Sequence, residues 1–132
     1  MTDTAYVFAK TFVHDLDAMG KFYSAVFGLV ENNRHSDVML GREIVEITYK
    51  PSAGREAGGL TLISYLDGNG PAAGEAVQGF ITQDIEAVCE RARAAGGSVP
   101  EPIRDIAEFG IRVAFVLDPE GHINEVIQMT AS

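Results

Sequence analysis

A carboxylate on an apolar strand can hold a cation, touch a ligand or take up a proton. The run Ile123-Asn124-Glu125-Val126-Ile127-Gln128-Met129 places Glu125 on the parity of Ile123, Ile127 and Met129. A lone carboxylate on such a face is costly unless it is paired or opens onto a cavity. Glu125 is therefore expected to contact a ligand, to pair with Arg112 or Lys10, or to be solvated at a strand edge. As a general base it would be favoured by apolar walls, although no partner acid accompanies it in the sequence. His14, His35 and His122 fall beside a helix cap, in a loop and after a turn, and a surface or turn role is expected of each. The single cysteine, Cys89, shares helical spacing with Ile85, Val88 and Ala92, as a buried structural thiol would.

The elements that must position these groups come in two copies. His14-Asp15-Leu16-Asp17-Ala18-Met19 returns as Gln83-Asp84-Ile85-Glu86-Ala87-Val88, 69 residues further on. In each copy a β-like run (6–13, then 77–82) leads into an Asp suited to cap a helix, with an acidic residue two places later where the helix dipole favours it. The first helix is expected over 15–27 with Gly28 as its stop, followed by strands over 29–34, 43–50 and 59–66. The second unit repeats the order: strand 77–82, helix 84–95, then strands 98–106 and 109–117. Asp118-Pro119-Glu120-Gly121 follows as a type I turn before the last strand. The expected architecture is a single α+β domain of tandem βαβββ units, about 4–66 and 77–129, joined by a Gly- and Ala-rich linker over 67–76. Two such halves should close a cupped mixed sheet around a shared cleft, the natural place for a ligand.

Composition narrows the partners. A net charge of −9 opposes nucleic-acid binding, which needs clustered Lys and Arg. No apolar run approaches the roughly 20 residues of a membrane span. A soluble, cytoplasmic protein is the expectation, with no nucleic acid or membrane as partner.

The paired units, the segments HDLDAMGKFYSAVFGL and QDIEAVCERARAAGG, and the closing DPEGHINEVIQ together resemble the vicinal oxygen chelate superfamily. That group includes glyoxalase I, bleomycin-resistance proteins, fosfomycin-resistance enzymes and extradiol dioxygenases. The resemblance implies the two-unit fold and a homodimer. In metal-dependent members it also implies ligands on the first and last strands of each unit, His or Gln on the first and Glu on the last. Those places fall at Phe8 and Val77, each seven residues before its capping Asp, near Leu62, and at Glu125. Only Glu125 can bind a metal, and a catalytic divalent ion wants at least three protein donors. No metal and no other cofactor is expected, unless a shifted register brings Glu46 into the place assigned to Leu62.

Alternation then gives the cleft a lining. Phe8 shares a face with Tyr6, Lys10 and Phe12, and Val77 with Gly79 and Ile81. On the seventh strand Arg112, Ala114 and Val116 are expected to face the cleft, while Ile111, Val113, Phe115 and Leu117 pack on the helices. The candidate ligand-binding set is Phe8, Lys10, Phe12, Val77, Ile81, Arg112 and Glu125. It suits a medium-sized, partly aromatic organic molecule bound without a catalytic metal. The alternative is a lyase of glyoxalase type, metal-dependent or with Glu125 as its catalytic base.

Overall fold

The computed structural model describes residues 9–50 and 59–130. The first unit runs β1 (Lys10–Phe12), α1 (Leu16–Phe27), β2 (Val30–Met39), β3 (Arg42–Lys50) and β4 (Leu60–Tyr65). The second runs β5 (Val77–Thr82), α2 (Ile85–Ala94), β6 (Arg104–Ile106), β7 (Ile111–Leu117) and β8 (Ile123–Met129). Each unit forms a four-stranded mixed sheet, ordered β1-β4-β3-β2 and β5-β8-β7-β6. In both, the first and last strands pair in parallel and the remaining pairs are antiparallel. The α+β class and the βαβββ repeat are those expected.

The repeated helix starts have one physical cause. Asp15 and Asp84 each accept a hydrogen bond from the amide three residues on, Ala18 and Ala87, at 3.1 Å. Asp17 and Glu86 then stand in the first turns, where the dipole favours negative charge. Gly28 ends α1 in the left-handed conformation, φ 69°. Leu16, Met19, Phe22, Tyr23 and Val26 of α1 pack with Ile47, Tyr49 and Leu62, and Ile85, Val88, Cys89 and Ala92 of α2 with Ala114, Val116 and Val126. Burial pushes the Cys89 thiol up from its ordinary pKa, as befits a structural cysteine.

Three departures from expectation are instructive. β2 extends to Met39, because β3 continues to pair with it as far as Met39 and Arg42. The strand expected over 98–106 shrinks to Arg104–Ile106, preceded by an isolated bridge between Ser98 and Leu117. Pro100 and Pro102 have no amide hydrogen to donate, which breaks any longer ladder. The face of β7 is also the reverse of that expected. Ala114 and Val116 lie in the helix-packed core, and Arg112 on the same parity reaches Glu86 of α2. The opposite parity, Ile111, Val113, Phe115 and Leu117, therefore lines the helix-free face. Both parities of IRVAFVL are apolar enough to be buried, so alternation alone does not orient this strand.

Candidate functional site

Three groups of residues compose the candidate site: the helix-free face of unit two, the matching face of unit one, and the junction between them. On unit two, strand register aligns Val77 with Ile123, Gly79 with Glu125 and Ile81 with Ile127. Across β8, Phe115 stands opposite Glu125 and Val113 opposite Ile127. Val77 is 56% exposed and Ile81 51%, so this face is an open apolar surface with one carboxylate near its centre. Glu125 has no hydrogen bond or ion pair among the described residues. Neither pairing expected for it forms. Lys10 donates to Glu46 Oε2 at 2.7 Å, and Arg112 is engaged by Glu86 and by Asp105 at 3.1 Å. Arg112 is thus not a cation of this face but a tie between β7, β6 and α2, on the helix side.

On unit one, Lys10 and Phe12 share the parity expected for them, aligned with Thr61 and Ile63 of β4. Glu46 on β3 lies beside Ile63 and opposite His35 of β2. Its carboxylate is buried and accepts Lys10 on one oxygen and His35 Nε2, at 2.8 Å, on the other. His35 therefore belongs to a strand and a charged cluster, not to a loop. Phe12 stacks on Tyr65 with ring centroids 5.1 Å apart, and Arg42 lies over the Tyr65 ring. Phe8 and Tyr6 lie outside the described residues.

The junction is a buried polar network that the sequence reading did not assign. His122, expected in a surface or turn role, does close the 118–121 turn on Asp118 but is buried. Its Nε2 lies 2.8 Å from the Phe12 carbonyl oxygen on β1, and its Nδ1 lies 2.8 Å from Asp118 Oδ2. Both neighbours are acceptors, an arrangement that favours a hydrogen on each ring nitrogen and so the imidazolium form of His122. Asp118 also accepts the Tyr23 hydroxyl at 2.9 Å and the amides of Glu120 and His122. Gln78 donates to Asn124 Oδ1 at 2.7 Å and accepts from Thr11, linking β5 and β8 to β1. A crevice of about 260 Å³ borders this network, lined by Lys10, Phe12, Gln78, His122, Ile123 and linker residues 71–76. The available signal was parity: His122 alternates with Asn124 and Val126, away from Glu125.

The hydrogen bond to Asp118 raises the His122 pKa above its ordinary 6.5 despite burial. Burial would raise Asp118, but the His122 side chain and amide, with Tyr23, outweigh it and hold its pKa below the ordinary 3.8. Burial and the neighbouring Asp118 charge raise the Tyr23 hydroxyl. The imidazolium's stabilisation is complete below about pH 6.5 and is lost as pH climbs through its raised folded value. That of Asp118 is complete above about pH 4 and is lost as pH falls through its lowered one. Urea unfolding across pH should show a stability plateau between these limits. In His122→Gln the alkaline decline should disappear while an acid limb remains.

Among the described residues the donors do not gather into a divalent centre of the kind the resemblance implies. Gly79 aligns with Glu125, and Lys10, 69 residues before Gly79, aligns with Thr61. The counterpart of Glu125 in unit one is therefore Thr61, not Leu62, which is fully buried against α1. Glu46 lies one strand further out, with both oxygens occupied. Among the described residues no group of three or more His, Cys, Asp or Glu side chains is placed to hold a metal ion.

The chain matches the family described as Glyoxalase/Bleomycin resistance protein/Dioxygenase superfamily over residues 6–126. It belongs to that superfamily. A probable lactoylglutathione lyase from Vibrio parahaemolyticus is 32% identical, across 88% of this chain and 84% of its own. Lactoylglutathione lyase of Arabidopsis thaliana is 30% identical across 88% of this chain, which spans only 41% of the plant protein. A glyoxalase family protein from Bacillus cereus shares the fold with a TM-score of 0.81 at 14% identity, over 99% of each chain. The fosfomycin resistance protein FosX from Listeria monocytogenes gives 0.67 at 17% identity, over 98% of this chain and 96% of its own. A mutant of FosX has been crystallised with Mn(II) and a dihydroxypropylphosphonic acid. Among the described residues, no helix is long and apolar enough to cross a membrane.

Proposed function

We propose that this superfamily member binds a small organic molecule on its helix-free faces without a catalytic divalent ion. The donor set carries the reading. By the count that the resemblance implies, the ligand places fall at Phe8 and Val77, with Thr61 as the register counterpart of Glu125, and of these four Glu125 alone has a side chain suited to the role. What the faces offer instead is apolar area from Val77, Ile81 and Phe115 and stacked rings at Phe12 and Tyr65. Such a lining suits a medium-sized, partly aromatic ligand. A cytoplasmic homodimer is part of the proposal, and exposed Val38, Leu40 and Phe109 supply apolar surface for pairing.

The test is metal content, measured on protein purified without chelator or affinity tag and again after incubation with nickel, zinc, manganese and iron. Far less than one ion per chain is expected throughout. Near-stoichiometric metal would overturn the reading. The 30–32% identity to lactoylglutathione lyases favours a second reading, a lyase of glyoxalase type. In its metal-free form Glu125 is the general base. Turnover with a pH profile that collapses in Glu125→Gln would establish that form, because a pure binder has no turnover to lose.

A further inference from the structure

We infer that the unit-two face selects an organic cation, an ammonium carried on an apolar body. This rests on the metal-free binding reading and names the ligand class for the same surface. The first support is charge. Glu125 sits among Ile123, Ile127 and Phe115 with no partner among the described residues, while Arg112 faces away toward Glu86 and Asp105. An uncompensated carboxylate on an apolar face is stabilised by an occupant that brings the missing positive charge.

The second support is space. Gly79 lies directly beside Glu125, and a Cβ built there would meet nothing within 4 Å. On either side along β5 stand Val77 and Ile81, about 13 Å apart at the strand rise. The missing side chain leaves open space beside Glu125 between two half-exposed aliphatic groups. The third support is the ring opposite. Phe115 is the cross-strand neighbour of Glu125, at a spacing of about 5 Å between Cβ atoms, so its ring is the aromatic group available to a cation held on Glu125. Carboxylate, ring and apolar ends together disfavour an anion and give a neutral body only part of the available contact.

The experiment is calorimetric titration of the full chain at low salt with three matched probes: 2-phenylethylammonium, 2-phenylethanol and 3-phenylpropionate. The expected order is ammonium tightest, by about tenfold over the alcohol, with the carboxylate weakest. Glu125→Gln should abolish the cation's advantage, and Glu125→Asp should retain part of it. Gly79→Val, at a β-favoured exposed site, should weaken ammonium and alcohol alike by filling that space. Urea midpoints near wild type would show that the variants fold.

Equal binding of ammonium and alcohol, or an advantage that survives Glu125→Gln, would overturn the inference while leaving a metal-free binder standing. Stoichiometric metal uptake would instead bring down the binding reading, and the order of probes on chelated protein would still decide the cation question. Binding of no probe, with residues 77–81 protected from hydrogen exchange in a sedimenting dimer, would assign this face to a second copy and overturn the inference.

Discussion

Asp118→Ala destabilises the protein by about 3–5 kcal/mol, read as a fall in the urea midpoint at pH 6. The size follows from what the substitution strands. His122 loses the carboxylate that holds its charge, the Tyr23 hydroxyl loses its acceptor, and the amides of Glu120 and His122 lose theirs. Asp118 and Tyr23 are almost wholly buried, so little water can replace the missing partner. Asp118→Asn should cost less, because the amide oxygen can still accept one or two of these bonds. A loss below about 1 kcal/mol for the alanine variant would mean that the imidazolium–carboxylate pair adds nothing net to the junction.

Gly97→Ala carries the second large effect, of about 2–3 kcal/mol, by overpacking. A Cβ at residue 97 would lie 2.5 Å from the Leu117 carbonyl oxygen and 2.7 Å from the Phe22 ring. The first obstacle is backbone, held by the reciprocal hydrogen bonds of Ser98 and Leu117, and cannot swing aside. Gly79→Ala is the control, since the space beside Gly79 is open. Thermal unfolding of the two variants side by side separates a steric cause from the general cost of replacing glycine. Equal shifts in both would refute the packing argument.

The helices were legible because their signals are local. Capping Asp15 and Asp84, the acidic residue two places on, and the apolar spacing all act within one or two turns of chain. Val77–Thr82 was legible in full for the same reason: its exposed and half-buried residues alternate cleanly. What failed depended on partners far away in sequence. The face of β7 is fixed by Glu86 on α2 and by core contacts, which no count along IRVAFVL reveals. Counting brings the counterpart of Glu125 only to the neighbourhood of Leu62, and in a strand a one-residue difference moves a side chain to the opposite face. The parallel pairing of β1 with β4 makes it Thr61. Glu125 itself faces as its alternation implied, yet its lack of a partner emerged only once Arg112 and Lys10 were seen to be engaged elsewhere.

The turn at residues 118–121 also sets the order in which this protein can assemble. The Glu120 carboxylate accepts the amides of His14 and Asp15 at the entry to α1, across 106 and 105 positions of sequence. His122 reaches Phe12 over a span of 110. On a ribosome the first unit would therefore emerge without the groups that finish its own first helix, and would wait until residues 118–122 had followed before closing. Long loops must be closed before these contacts can repay the lost chain entropy, which slows folding. The two repeated halves, alike in plan, are in this sense unequal in time: the later one completes the earlier.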